Sequence, residues 1–266
     1  MPLTQFQRDV LAIISANRSD DSHFAGGVVI NREETSIRYS KDFDIFHEAE
    51  SEVARASNQD IAALEKSGMD VHKLQGEWTG PCSFRRAYVQ REHERLEIDW
   101  AVDSAFRFFP IEADPILGWR LHLFDAATNK ALTLASRSAT RDYVDMVALR
   151  EHYPLAAILW AACGKDLGFT PLSLLEMMKR FARINPHQLA TIQARELDPI
   201  ELKTQWIKMT DEAEEQITEL ANTQSQIPIG VAFVDEQGQP AWLGDDSSLK
   251  IHKPRVRGCW PTLRES

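Results

Sequence analysis

Cysteine is scarce. Cys82, Cys163 and Cys259 are odd in number and far apart, and no Cys-x-x-Cys occurs. Neither a disulfide framework nor a cysteine-based zinc site is therefore expected, and a reducing, cytoplasmic setting fits. No uncharged apolar run approaches the roughly 20 residues needed to cross a bilayer. The first residues lack the basic segment and apolar core of a leader peptide, so no membrane partner is expected. Internal repeats and low-complexity tracts are absent. Basic residues are in the minority, with 30 Lys and Arg against 40 Asp and Glu and a formal net charge of −10. That balance argues against a surface broadly dedicated to nucleic acid, while leaving room for a local basic cleft.

What is present is enough for a substantial core. The chain has 266 residues, 43% of them hydrophobic, which suits one large domain or two smaller ones. Its most informative stretch is Arg38-Tyr-Ser-Lys-Asp-Phe-Asp-Ile-Phe46. Side chains alternate across a strand. Phe43 and Ile45 therefore point to a core, and Asp42 and Asp44 share the opposite face. Two like charges that close repel unless a cation lies between them. A hard ion such as Mg²⁺ takes one or two carboxylates and completes its shell with water and phosphate. A strand end bearing two solvated acids is the plainer alternative. Upstream, Phe24-Ala-Gly-Gly27 precedes Val28-Val-Ile30. Adjacent glycines let the backbone approach a ligand closely. Residues 24–30 fit a strand by propensity or a short helix whose free N–H groups would meet phosphate.

Taken in order, residues 3–18 form an expected helix, with Phe6, Val10, Leu11, Ile13 and Ile14 recurring at helical spacing. Residues 47–66 form another, and residues 70–78 a strand. Residues 84–90 and 95–102 are expected to pair as an antiparallel hairpin, with Leu96, Ile98 and Trp100 facing the core. The run 104–110 is strongly aromatic and is expected in the core rather than as a base-stacking platform. Residues 125–135 form a helix carrying Lys130, and Asp142 and Asp145 share a helix face. From Pro154 onward the pattern is helical, with Leu172, Leu174, Leu175 and Met178 expected inside one helix trailed by Lys179, Arg180 and Arg183, and a further helix over 196–220. A hairpin is expected around 235–240. From residue 250 onward, Lys250, Lys253, Arg255, Arg257 and Arg264 stand against Glu265 alone, a basic tail that would hold phosphates, dock on the chain's own acidic surface or stay disordered.

Diglycine, short spacer and a strand bearing Asp-x-Asp is the opening signature of the polymerase-β-like nucleotidyltransferases. Together with Asp125-Ala-Ala-Thr-Asn-Lys130 and Arg141-Asp-Tyr-Val-Asp145, it makes about the first two thirds of the chain resemble the AbiEii/AbiGii toxin family. The resemblance implies an α/β (α+β) fold, a mixed sheet flanked by helices and followed by a mostly helical C-terminal part. It implies a catalytic domain over residues 1–150, a helical domain over 151–222, and a small hairpin with a basic tail over 223–266. Helices from Asp125 onward fit either side of the first boundary. Asp42 and Asp44 would hold Mg²⁺ or Mn²⁺. A third carboxylate on a neighbouring strand would be Asp99, with Glu97, Asp103 or none as alternatives. Gly26, Gly27 and Ser40 would contact the triphosphate of an NTP. Lys130 would meet phosphate oxygens, and Asp145 would orient that lysine or the acceptor, or act as a base. The implied reaction moves NMP to an acceptor hydroxyl with loss of pyrophosphate. The implied acceptor is RNA, above all tRNA, in a cytoplasmic type IV toxin–antitoxin or abortive-infection system with a cognate antitoxin protein. An aminoglycoside-modifying type of nucleotidyltransferase, a non-catalytic nucleotide-binding module and a purely structural domain are the competing readings.

Overall fold

The computed structural model describes residues 3–182, 185–192, 194, 197–243 and 249–262. In chain order the elements are α1 (Gln5–Ile14), β1 (Ser22–Ala25), α2 (Gly26–Ile30), β2 (Asp42–His47), α3 (Glu50–Lys66), β3 (Asp70–Gln75), β4 (Phe84–Arg91), β5 (Glu94–Val102), β6 (Phe106–Arg107), β7 (Glu112–Asp114), β8 (Gly118–Arg120), α4 (Leu123–Ser136), α5 (Thr140–Leu149), α6 (Leu155–Ala162), α7 (Pro171–Phe181), α8 (Pro186–Thr191), α9 (Pro199–Thr223), β9 (Ala232–Val234), β10 (Pro240–Ala241), β11 (Lys250–His252) and β12 (Arg255–Val256). They fall into two compact units. The first comprises residues 1–105 with 111–122, and the second residues 106–110 with 123–266.

The first unit is built on a seven-stranded mixed sheet in the order β3-β4-β5-β2-β1-β8-β7. β2 lies at its centre, antiparallel to β1 and parallel to β5. The alternation expected for β2 holds, with Phe43 and Ile45 fully buried and Asp42 and Asp44 half-buried. Phe43 meets Phe24 edge to face at 5.8 Å, an arrangement worth about 0.5–1.5 kcal/mol beyond area burial. α1 opens on a capping box in which Thr4 and Gln7 satisfy each other's backbone N–H, which removes two orphan donors at once. The β4–β5 hairpin pairs in continuous register from Phe84↔Ala101 to Arg91↔Glu94. Residues 24–30 split between the two expectations. Phe24 and Ala25 finish β1, and the chain turns into a helix at Gly26.

One buried histidine gives this unit a pH dependence. His47 ends β2, is fully buried, and lies 3.1 Å through Nε2 from Ser22 Oγ. Burial and then the nearby Arg18 charge lower its pKa to about 3. The unfolded chain protonates this imidazole near pH 6.5. Between those values the unfolded state binds a proton that the folded state refuses. Stability from this residue is thus full above about pH 6.5 and falls as pH drops toward 3, by up to about 1.4 kcal/mol per pH unit. Urea midpoints measured from pH 7.5 down to 4.5 should show this slope, and His47→Gln should flatten it.

The second unit is mostly helical. α6 is buried along its whole length. α7 starts at the Thr170 capping box with Pro171 at its first position, where a missing N–H costs nothing. Leu174, Leu175 and Met178 are buried as expected, but Leu172 is 42% exposed, being on the outer face of a helix whose apolar stripe is narrower than the sequence suggests. Arg183 lies outside the described residues. α9 begins at Pro199, capped by Asp198; the earlier start expected at Glu196 also lies outside them. Phe108 and Phe109 are fully buried, as expected of core, but Phe106 is 38% exposed. The hairpin near residue 235 forms between β9 and β10, and β11 adds a third strand.

Candidate functional site

The first unit brings the diglycine and the paired carboxylates together. Ala25 on β1 is in register with Asp44 on β2, so the residue after Ala25 comes down beside that carboxylate. Gly26 has φ +62°, a left-handed conformation that disfavours any Cβ. A Cβ there would also overlap the Asp44 carboxylate and lie 2.8 Å from its Cγ. At Gly27 a Cβ would stand 2.6 Å from Arg38 Nη2 and 2.9 Å from Ser40 Oγ. The two glycines are therefore a contact surface for Asp44, Arg38 and Ser40. The Ser40 hydroxyl donates to the Asp42 carbonyl at 2.9 Å and stands 3.3 Å from its Oδ1. Ser40 is itself fixed from behind, its carbonyl accepting from Gln7 Nε2 at 2.7 Å.

α2 is only five residues long, and Ala25 at its N-cap offers no side-chain oxygen. So short a helix carries little macrodipole; its contribution to an anion is the first backbone N–H groups, which no cap takes. Arg38 was not among the residues singled out from sequence. It is buried, with its guanidinium against Gly27, and adds positive charge beside those amides.

On the other side of β2, Asp44 is in register with Asp99 and Asp42 with Glu97 on β5. The expected third carboxylate is thus directly across from Asp44. Its oxygens are engaged by Arg86, whose Nε and Nη2 lie 2.7 and 2.6 Å from Oδ1 and Oδ2. Glu97 is 3.3 Å from the same guanidinium. The bidentate hydrogen bond to Asp99 raises the Arg86 pKa well above its ordinary value. Arg86 and Asp99 meet as cross-strand partners in the β4–β5 register. Asp103 follows β5, its N–H donating to the His47 carbonyl.

Asp42, Asp44 and the Ser40 hydroxyl are hard oxygen donors beside a glycine cradle that a Cβ would fill, a set suited to a hard divalent ion with a phosphate ligand. Among the described residues, no three His, Cys, Asp or Glu side chains converge as an all-protein metal cage. That is compatible with Mg²⁺, which takes one or two carboxylates and keeps positions for water and phosphate.

The second unit assembles the other predicted residues. Lys130 on α4 is buried, with Nζ 2.7 Å from Asp142 Oδ1 and 3.1 Å from Asp145 Oδ2 on α5. The i,i+3 spacing of the two acids puts both on one lysine. Arg137 Nε approaches Asp142 Oδ2 at 2.9 Å. Burial pushes the Asp142 carboxyl up, but Lys130 and Arg137 outweigh it and hold its pKa below the usual carboxylate range. These four side chains sum to zero formal charge. Lys130 is a rigidly positioned donor rather than a surplus cation. Asp142 lies in the first turn of α5, and its full burial and two cationic partners make it an equal member of the cluster. Asp125, in the same motif, accepts from the Phe108 and Phe109 N–H groups at 2.9 Å each and pairs with Lys165, which is a structural role.

Replacing Gly26 with Ala should displace the Asp44 carboxylate. Misplacement of about 1 Å at a reacting centre costs on the order of a hundredfold in rate. Gly26→Ala is thus expected to lose about that much nucleotide-dependent activity, whereas Gly80→Ala, where no atom lies within 4 Å of the new Cβ, should lose none. Parallel assays of the two variants check this.

No family model matches the sequence, and no curated protein does. Solved structures do resemble it. A candidate nucleotidyltransferase from H. pylori superposes with a TM-score of 0.53 at 16% identity, covering 82% of this chain and 99% of its own. JHP933 from Helicobacter pylori gives 0.51 at 10% identity, covering 83% and 95%. MenT4, a nucleotidyltransferase toxin from Mycobacterium tuberculosis, gives 0.54 at 14% identity, covering 79% and 82%. At such identities the likeness speaks for architecture. A seven-stranded mixed sheet flanked by helices, followed by a helical C-terminal part, gives this chain a nucleotidyltransferase-like fold.

Proposed function

We propose that this protein is a metal-dependent nucleotidyltransferase that moves NMP from an NTP to an acceptor hydroxyl and releases pyrophosphate. The observation that carries the proposal is the seating of Gly26 against the Asp44 carboxylate, which joins a phosphate-approach turn to an acidic pair. Asp42 and Asp44 would hold Mg²⁺ or Mn²⁺. Bound there, the ion would neutralise triphosphate charge and help align the acceptor oxygen. The amides of Gly26 and Gly27 approach the triphosphate, Ser40 adds a hydroxyl contact, and Arg38 offsets negative charge beside them. Asp99 is oriented by the bidentate Arg86 guanidinium, and joins the metal-binding acids only where that pair opens. The resemblance implies a phosphate oxygen as the partner of Lys130, and Asp145, 3.1 Å from its Nζ, would serve as its positioning residue. Most of the acceleration would come from positioning and charge stabilisation.

The resemblance to the AbiEii/AbiGii toxins and the fold shared with a toxin support a finer reading. In it the acceptor is RNA, above all tRNA, and the protein is the toxin of a cytoplasmic type IV toxin–antitoxin or abortive-infection pair, restrained by a cognate antitoxin. The test is transfer of α-³²P label from each of the four NTPs to purified tRNA with Mg²⁺, beside a panel of aminoglycosides. Label on tRNA supports the reading; label on an aminoglycoside replaces it with the small-molecule alternative.

A further inference from the structure

Residues 249–262 form a built basic surface. β11 pairs with β9, and β12 pairs with β6 through Arg255↔Arg107 and Val256↔Phe106. His252 Nε2 lies 2.8 Å from the Phe108 carbonyl, and the Cys259 N–H donates to the same carbonyl at 3.1 Å. Arg257 and Gly258 both take φ +64°, and a Cβ on Gly258 would run into the Phe109 carbonyl group. That tight turn sets Trp260 at 6.2 Å from the Phe109 ring while leaving it 55% exposed. The result is a groove of about 690 Å³ walled by Pro228, Lys250, Lys253, Arg255, Trp260 and Pro261.

Its charge is opposite to that of the chain. Residues 249–262 hold Lys250, Lys253, Arg255 and Arg257 and no acid, a formal +4. Since the whole chain is −10, the remainder is −14. Lys250, Lys253 and Arg255 form no ion pair with any described residue, although acids are abundant. Cations on and between β11 and β12, spaced along a groove, with an exposed indole at one wall, match what a single strand of nucleic acid offers: regularly spaced phosphates and flat bases.

We propose that this groove binds single-stranded RNA, with Lys250, Lys253 and Arg255 on successive phosphates and Trp260 stacked on a base. The choice of RNA rests on the acceptor assigned above; the groove itself does not depend on transfer taking place. Each phosphate neutralised contributes about −0.7 to the slope of log K against log salt for single strands. Three contribute about −2, equivalent to about a hundredfold in affinity at 0.1 M salt.

The test is fluorescence anisotropy of an unstructured, labelled oligoribonucleotide with the full-length protein, without nucleotide or Mg²⁺, across a salt series. The triple substitution Lys250→Gln, Lys253→Gln, Arg255→Gln should flatten the salt slope by about 2. Interchanging Lys and Arg at the same positions should preserve it. Trp260→Ala should weaken binding about 5- to 100-fold, and Trp260→Phe should retain most of it. Thermal melts confirm that each variant is folded. Unchanged affinity and slope in the folded triple variant would overturn the proposal. So would loss of binding to phosphatidylserine vesicles alone, with RNA binding intact. Because binding is read without transfer, an inactive protein that still shows the slope change contradicts only the catalytic proposal. An active one with no slope change contradicts only the groove.

Discussion

Asp44→Asn should reduce label transfer by about a thousandfold or more while leaving the protein folded. The substitution keeps shape and removes one of two charges on the same face of β2. Charge stabilisation of a reacting phosphate by a bound cation is worth several kcal/mol, and each 1.36 kcal/mol is a decade in rate. Asp42→Asn should fall in the same range, because neither carboxylate alone has the partner that makes a divalent site. Single-turnover rates at saturating NTP, with circular dichroism to verify folding, measure the effect. A loss of less than tenfold in either variant would leave the pair without a catalytic role.

The largest effect on stability should come from Asp60→Asn. Asp60 on α3 and Arg18 are fully buried, and Arg18 Nη2 reaches both carboxylate oxygens at 2.6 Å. The Trp100 indole and the Asn17 amide donate to the same carboxylate at 2.8 Å each. This one acid therefore ties α3 to β5 and to the segment after α1. Burial opposes the charged form of both partners, raising the Asp60 pKa and lowering that of Arg18. Arg18 Nε and Nη1 find no hydrogen-bond partner among the described residues. Removing the acid strands that guanidinium, and breaking a buried pair in this way costs about 3–5 kcal/mol. The double substitution Arg18→Met, Asp60→Leu should recover much of the loss, since well-packed apolar replacements of buried pairs are often neutral or better. Urea unfolding of the three variants tests this. A double variant less stable than Asp60→Asn would mean that the polar network, and not the stranded charge, sets the cost.

Residues whose pattern is local were legible in the sequence. Period-two alternation placed Phe43 and Ile45 inward and Asp42 and Asp44 on the other face of β2, and spacing of three put Asp142 and Asp145 on one side of α5. The helical periods of α1, α3 and α9 were equally clear, because burial of one face repeats within the helix itself. Partnerships between distant segments were not. Nothing local says that Arg86 will grip Asp99, since that needs the β4–β5 register. Arg18 and Asp60 are 42 residues apart in sequence. The burial of Arg38 against Gly27 depends on how the loop before β2 folds back over α2. The choice between strand and helix at residues 24–30 was undecidable from propensity because both occur, with the change at Gly26, where φ is positive and the side chain of Asp44 leaves room only for hydrogen.

The central claim is that Asp42 and Asp44 act with the diglycine turn as one seat for a divalent ion and a triphosphate. Isothermal titration of each NTP into the protein, with Mg²⁺ and then with EDTA, tests it most directly. Binding of at least one NTP that requires Mg²⁺, and that is lost in both Asp42→Asn and Asp44→Asn, is expected. Binding that persists in EDTA, or that survives both substitutions unchanged, would contradict it.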